Sequence, residues 1–158
     1  LRREMPSEPI GVIGISLGAA AFALGEPDAQ VRAVILESMY PTVDEAVRNR
    51  LTTYLGPAGG LLSPRRRWQL PLRAGVSAAR LRPIERVGRI GAAVFIISGA
   101  EDRSTTADES RLLFGMAVEP KQLWIVDGAA HVDLHALAQR EYEQKVGTFL
   151  ARHLGGAR

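Results

Sequence analysis

Residues 10–36 have the sequence IGVIGISLGAAAFALGEPDAQVRAVIL, and this stretch decides the fold. The apolar run at residues 10–15 predicts a buried strand, and the β-branched run at residues 31–36 predicts a second one. Between them, the alanine-rich residues 17–24 predict a helix that the following glycine and proline end. Because only a few residues separate this helix from the second strand, the pattern predicts a βαβ unit of a parallel sheet.

The rest of the chain continues this alternation. Further strands are predicted at residues 93–98 and 122–126, and further helices from Thr42 onward, over residues 106–116 and over residues 134–154. These elements predict an α/β fold with a mostly parallel sheet flanked by helices. The distance from the second to the third strand is longer than a crossover helix needs, so we expect a small helical cap insertion at roughly residues 41–90.

Length and composition bound the class of protein. The 158 residues suit a single domain over residues 1–158, and 46% hydrophobic with 23% charged residues is typical of a globular protein. The net charge is only +3, and basic residues cluster only at residues 65–67, which we expect to be solvated. We therefore expect no nucleic-acid partner. The absence of cysteine excludes disulfides, thiolate metal sites and cysteine nucleophiles.

The uncharged run at residues 10–25 resembles the core of a signal peptide. Glu4 and Glu8 precede it, where a signal peptide is basic, and glycines interrupt it. The run is also too short to cross a bilayer. From the sequence we therefore expect no membrane span and a cytoplasmic location.

A G-x-S-x-G motif, formed by Gly14, Ser16 and Gly18, lies where the first strand turns into the first helix. This is the context of a nucleophile elbow, in which a strained turn projects the serine hydroxyl above the sheet. We expect glycine at both flanking positions because larger side chains there would clash with neighbouring backbone. A glycine-rich turn with an incidental serine is the alternative.

A serine nucleophile needs a base, and the base needs an acid that orients it. Asp102 follows the third strand in SGAEDRS, and His131 follows the fourth strand in VDGAAHVDLH. The carboxyl ends of parallel strands meet at one edge of a sheet, where ligands of such folds bind. The order serine, acid, histidine therefore predicts a catalytic triad of Ser16, Asp102 and His131.

Other acidic residues compete for these roles. Glu101 is an alternative acid, although its position in the loop favours it less than Asp102, and Asp127 is better placed to shape a turn. Glu37 and Ser38 follow the second strand at the same sheet edge. They either line the pocket or only end the strand, and we hold the two interpretations equal.

His135 follows His131 by four residues, which is the spacing of two metal ligands on a helix. No other cluster of ligand residues supports a metal. We therefore predict neither a metal nor a cofactor.

Four segments resemble a known family: IGVIGISLGA, VILES, VFIISGAEDRST and IVDGAAHVDL. They are similar to the elbow, following strand, acid loop and histidine loop of the α/β-hydrolase superfamily, in its serine-aminopeptidase and prolyl-oligopeptidase-like branch. The resemblance implies a triad of Ser16, Asp102 and His131. It also implies that the backbone N–H of Leu17 is one donor of an oxyanion hole. Residues from 41 to about 90 correspond to the variable cap.

One departure from the family concerns the start of the chain. Family members have several strands before the elbow, whereas this chain has 15 residues before Ser16. The resemblance therefore covers the C-terminal portion of such a domain. It implies that the strand at residues 10–15 lacks a neighbour on one edge and that the loop with the second oxyanion donor is missing. We expect the chain alone to be poorly stable and weakly active.

These features predict a serine hydrolase that cleaves an ester, thioester or amide of a small-molecule acyl substrate through an acyl-enzyme on Ser16. Two alternatives stay open at this point. One is an acyltransferase that uses the same triad with an alcohol or amine in place of water. The other is a catalytically silent domain that only binds a ligand. Oligomeric state is left open by the sequence.

Overall fold

Four strands form a parallel sheet with the order β1-β2-β3-β4. A computed structural model describes residues 8–26, 28–56 and 81–155. The strands are β1 (Ile10–Ile15), β2 (Val31–Glu37), β3 (Ala93–Gly99) and β4 (Lys121–Val126). The prediction of an α/β fold with a parallel sheet is confirmed, and each predicted strand is present to within one residue at either end.

Five α-helices accompany the sheet in the described ranges. They are α1 (Leu17–Leu24), α2 (Val43–Leu55), α3 (Ala107–Met116), α4 (Leu134–Leu137) and α5 (Gln139–Leu154), and two 3-10 turns lie at Pro83–Glu85 and Val87–Arg89. The prediction of one continuous terminal helix is wrong. Ala138 adopts φ −124° and ψ 42°, and its N–H closes the last turn of α4 on Leu134 before α5 begins. None of the described helices is both long and apolar enough to cross a bilayer.

Hydrophobic side chains are buried on both faces of the sheet. On one face, α1 and α3 pack against alternate residues of the central strands, among them Val34 and Ile96. On the other face, α5 covers Ile35, and the ring of Phe149 lies 5.2 Å from that of Phe95. Because both faces are covered, residues 33–36 of β2 and 93–97 of β3 are apolar runs without polar alternation.

β1 is an edge strand of the described sheet, because it pairs only with β2. Its side chains Ile13 and Ile15 are 48% and 58% exposed. An apolar strand with one open edge is the arrangement that the sequence predicts for residues 10–15. Such an edge favours association with another strand.

The predicted cap insertion lies mostly outside the described residues, as do the arginines at residues 65–67, because residues 57–80 are not described. Its first helix, α2, is tied to the acid loop by Asn49. The Asn49 side-chain amide donates to Glu109 Oε1 at 2.9 Å and to the Ser104 carbonyl at 3.3 Å. The cap stays a prediction.

The start of α3 fixes the end of the acid loop through a capping box. Thr106 Oγ1 accepts from the Glu109 N–H, and the Glu109 carboxylate accepts from the Thr106 N–H. We expect Thr106→Ala to lower the free energy of unfolding by about 1 kcal/mol, measured by urea denaturation. Thr53→Ala is the matched control, because the Thr53 hydroxyl donates to the Asn49 carbonyl within exposed α2 and caps no helix of the described ranges. An equal loss of unfolding free energy in both variants would contradict the capping role of Thr106.

Candidate active site

The residue that follows each of β1, β2 and β3 donates a backbone hydrogen bond to the neighbouring strand at the carboxyl edge of the sheet. The Ser16 N–H donates to the Glu37 carbonyl at 2.8 Å, and the Ser38 N–H donates to the Ile97 carbonyl at 2.8 Å. The Ala100 N–H donates in the same way to the last residue of β4, at 2.9 Å. These bonds continue the parallel ladder into the loops and fix where each loop begins.

Ser16 lies in a strained turn between β1 and α1. Its backbone has φ 50° and ψ −110°, a conformation that residues other than glycine rarely adopt. Such a residue is destabilising by on the order of 1–3 kcal/mol and is found mainly at functional sites. The turn is tight because a Cβ on Gly14 would lie 2.7 Å from the Ala19 Cα. Gly14 therefore fits the steric role that the sequence predicts for it.

The sequence also predicts that a side chain at position 18 would clash with neighbouring backbone. Within the described part of the chain, this prediction is wrong. A Cβ at Gly18 would meet no atom within 4 Å. Gly18 is exposed in the first turn of α1, so no described backbone approaches it. Leu17 is the first residue of that helix, and its N–H therefore has no acceptor within the helix.

Asp102 is buried and surrounded by hydrogen-bond donors. Its Oδ1 accepts from the backbone N–H groups of Ser104 at 2.7 Å and Thr105 at 2.9 Å. Its Oδ2 accepts from the Thr105 hydroxyl at 2.6 Å and lies 2.7 Å from His131 Nδ1. Because this carboxyl accepts from all of its other partners, the proton between it and the ring is assigned to Nδ1.

The acid loop and the histidine loop are in direct backbone contact. The Glu101 N–H donates to the Ala129 carbonyl at 2.8 Å. A Cβ on Gly99 would lie 2.2 Å from that same oxygen. Gly128 turns the second loop with φ 66°. The absence of a side chain at Gly99 is therefore what lets the two loops meet and places Asp102 beside His131.

The structure brings the predicted acid and base together and places the predicted nucleophile at the same edge of the sheet. The His131 side chain is 32% exposed, and its Nε2 has no hydrogen-bond partner in the described residues. Within those ranges, no hydrogen bond joins the Ser16 hydroxyl to the His131 ring. In unliganded enzymes such bonds are often long and tighten only when substrate binds.

The competing residues have other surroundings. Glu101 and Asp127 are exposed, and neither forms a side-chain bond to His131. His135 Nε2 lies 3.1 Å from Glu143 Oε1 instead. Hydrogen bonds from Gln139 and His135 lower the pKa of Glu143. Within the described ranges, no three histidine or acidic side chains are arranged to hold a metal ion.

Glu37 and Ser38, whose role the sequence leaves open, are both buried. The Tyr142 hydroxyl donates to Glu37 Oε2 at 2.9 Å. Burial raises the pKa of Glu37, while the bond from Tyr142 lowers it. Sequence reasoning missed Tyr142 as a partner, because its spacing on α5 marks it only as an apolar core residue. Thr105 was missed as well, although it lies in the acid loop.

A cleft of about 1260 Å³ opens beside the acid and histidine loops. Its walls come from the end of α2, the acid loop and the start of α3, and they include Tyr54, Arg103 and Arg111. Asp102 and His131 line one side of it, whereas Ser16 is not among its lining residues.

Several solved structures share this arrangement of strands and helices. An esterase of Pyrococcus furiosus superposes with a TM-score of 0.71 at 21% sequence identity, over 98% of this chain. The esterase domain of a Rhodothermus marinus protein gives 0.67 at 20% identity over 96% of this chain. Acylaminoacyl peptidase of Pyrococcus horikoshii gives 0.64 at 20% identity over 99% of this chain. No protein-family model and no curated protein sequence matches this chain.

The chain spans only part of each of these proteins. It covers 58% of the Pyrococcus furiosus esterase, 65% of the Rhodothermus marinus domain and 26% of the peptidase.

Proposed function

Because the chain has the α/β-hydrolase fold, we propose that it carries the catalytic triad of a serine hydrolase, with Ser16 as nucleophile, His131 as base and Asp102 as acid. The observation that carries this proposal is the 2.7 Å contact between His131 Nδ1 and the buried carboxyl of Asp102. It holds the ring in the tautomer whose Nε2 is free to accept a proton.

The proposed reaction begins when Ser16 Oγ attacks the carbonyl carbon of an ester, thioester or amide. His131 Nε2 accepts the hydroxyl proton and passes it to the leaving group, which leaves an acyl group on Ser16. Water then attacks the acyl-enzyme, and the same ring accepts and returns a proton. Asp102 stabilises the imidazolium formed in each half of the reaction.

Backbone amides at the start of α1 are the proposed source of oxyanion stabilisation. The Leu17 N–H lacks an acceptor within its helix and follows the nucleophile directly. The positive end of the helix dipole acts in the same direction. One such donor contributes on the order of 10²- to 10³-fold in turnover in related chemistry.

The proposed substrate is a small acyl compound. The solved relatives named above are esterases and an acylaminoacyl peptidase, which supports ester and amide substrates. The cleft that His131 lines is the proposed space for the leaving group, which His131 protonates.

A fluorophosphonate probe tests the proposal without knowledge of the substrate, because it reacts only with an activated serine. We expect intact mass to show one adduct on this chain, or on a longer protein that contains it, and none on the Ser16→Ala variant. Ser7→Ala is the matched control and retains the adduct. A folded protein that gains no adduct would exclude the triad and leave the ligand-binding alternative in front.

A further inference from the structure

A buried carboxyl group beneath the candidate site has no part in the acyl transfer described above. Glu37 ends β2 and is 2% exposed. Burial raises its pKa, and the neighbouring charge of Asp133 adds to this. An ionisable group is unfavourable to bury, so an apolar residue would pack more easily at the end of an internal strand. A carboxyl group at this buried position therefore calls for a role other than packing.

We propose that Glu37 is a positioning residue that joins the turn carrying Ser16 to the segment carrying His131, and thereby aligns nucleophile and base. This inference rests on the proposed function of the site. Glu37 does not contact the reacting atoms and acts only through its neighbours.

The first connection runs through the backbone. The Glu37 carbonyl accepts the Ser16 N–H at 2.8 Å, and Glu37 is the register partner of Ile15 in β1. The elbow is strained at Ser16, so it keeps its geometry only while such bonds hold it. A shift of Glu37 therefore moves the nucleophile.

The second connection runs through the side chain. The carboxylate accepts the Tyr142 hydroxyl at 2.9 Å. The ring of Tyr142 in turn packs edge to face against the ring of His135. His135 belongs to α4 and lies four residues after His131. The carboxylate is thus connected to the segment after His131 through Tyr142, while Asp102 holds the ring of His131 itself.

Tyr142 is well fixed as the partner on α5. Its ring centroid lies 5.2 Å from that of His135, edge to face, and 6.3 Å from that of Trp124. The hydroxyl therefore reaches Glu37 from a packed aromatic group, which makes the bond a rigid link between the helix and β2.

The connection matters because, among the described residues, only the Nδ1 side of the His131 ring is held by a hydrogen bond. No hydrogen bond within the described residues holds its Nε2 against Ser16. Their alignment then depends on how the elbow and the histidine loop are placed relative to each other. A misplacement of about 1 Å is enough to lower reactivity about 10²-fold.

The test compares variants that keep or remove the hydrogen-bond acceptor. Tyr142→Phe removes the donor, Glu37→Leu removes the acceptor at similar volume, and Glu37→Gln keeps an acceptor oxygen. We expect the second-order rate of fluorophosphonate labelling of Ser16 to fall about 10- to 100-fold in the first two. Glu37→Gln should stay within about three-fold of the wild type, because an acceptor for Tyr142 remains.

Tyr40→Phe is the matched control for Tyr142→Phe. Tyr40 is also a buried tyrosine, but it packs against the opposite face of the sheet, where burial raises its pKa and Arg50 lowers it. It should label at the wild-type rate. If Tyr142→Phe and Glu37→Leu label as fast as Tyr40→Phe while folded, the positioning role is overturned.

A readout that does not need activity separates this inference from the proposed function. The Nδ1–H proton of His131, assigned by its loss in His131→Gln, reports the bond to Asp102 in proton NMR spectra. If the folded wild type takes no label, the proposed function fails. The His131 resonance then decides whether Glu37 and Tyr142 position the ring. Its shift or loss in both Tyr142→Phe and Glu37→Leu, with Tyr40→Phe unchanged, supports positioning, and an unchanged resonance overturns it.

The pH dependence of stability supplies a further readout for Glu37. Its folded-state pKa is raised above the usual value of 4.5, so the folded state binds the proton more tightly than the unfolded state. The stability from this effect is present below the unfolded pKa and is lost as pH rises through the folded pKa. The thermal midpoint of Glu37→Gln relative to wild type should therefore rise between pH 4 and pH 8. A constant difference would contradict a buried, titrating carboxyl.

The charged groups around Glu37 enter this comparison as well. Asp133 raises its pKa and His135 lowers it, and both belong to the start of the segment after His131. Tyr142 faces it from α5, and its own pKa is raised by burial and by Glu37, so its hydroxyl stays protonated across this range. Protonation of His135 at low pH is controlled by repeating the series in the His135→Gln background.

Discussion

Replacement of Asp102 with asparagine will lower the turnover of an activated ester by about 10⁴-fold, if His131 acts as the base. The asparagine oxygen can still accept the N–H groups of Ser104 and Thr105. Its amide nitrogen then faces His131 Nδ1, where a donor meets a donor. The ring changes tautomer, places its proton on Nε2 and can no longer accept the proton of Ser16. Hydrolysis of a nitrophenyl ester and the rate of probe labelling both measure this loss.

Glu101→Gln is the matched control for Asp102→Asn. Glu101 is the adjacent acidic residue, its side chain is exposed, and its contact with the histidine loop uses only the backbone N–H. We expect its activity to stay within about two-fold of the wild type. If Glu101→Gln lost activity while Asp102→Asn kept normal activity, the catalytic acid would be Glu101 and not Asp102.

Gly99→Ala will lower the free energy of unfolding by about 3 kcal/mol and reduce turnover about 10²-fold. The new methyl group would lie 2.2 Å from the Ala129 carbonyl oxygen and 2.8 Å from the Ala130 oxygen. Backbone oxygens cannot rotate away as the end of a side chain can, so the two loops must separate. Because Asp102 and His131 are carried by those loops, their 2.7 Å contact lengthens with the same movement.

Gly147→Ala is the matched control for the added methyl group. Gly147 lies inside α5, and a Cβ there would meet no atom within 4 Å. The substitution should raise the free energy of unfolding by about 1 kcal/mol, because alanine is the better helix former. Urea denaturation of both variants should give changes in the free energy of unfolding of opposite sign. If Gly99→Ala were as stable as the wild type, the two loops would not be in tight contact.

The elements and their order were predictable because the signals are local. The apolar runs of β1 to β4 have strand length, and Thr106 and Thr42 lie at helix starts with acidic residues three positions later. The break at Ala138 was not predictable in this way. The apolar spacing continues across it, and no proline or glycine marks the change.

The site was predictable only in part, because the sequence signals are local and some contacts in the site join distant segments. Ser16, Asp102 and His131 follow strands in the chain, and parallel strands bring their carboxyl ends to one edge, so their shared location follows from the sequence. Glu37 follows from the sequence only as a residue at that edge. Its burial and its bond to Tyr142, 105 positions away in the chain, depend on how α5 packs across β2.

The sequence by itself determined the parallel α/β fold, the strained turn at Ser16 and the residue types at the carboxyl edge, because each depends on neighbours a few positions apart. Only the tertiary structure showed the contact between Asp102 and His131, the need for glycine at position 99 and the burial of Glu37 against Tyr142. It also showed that no described atom approaches Gly18. These facts depend on which loops and helices come within a few ångströms, and the free energy of such contacts is set by packing between segments distant in the chain.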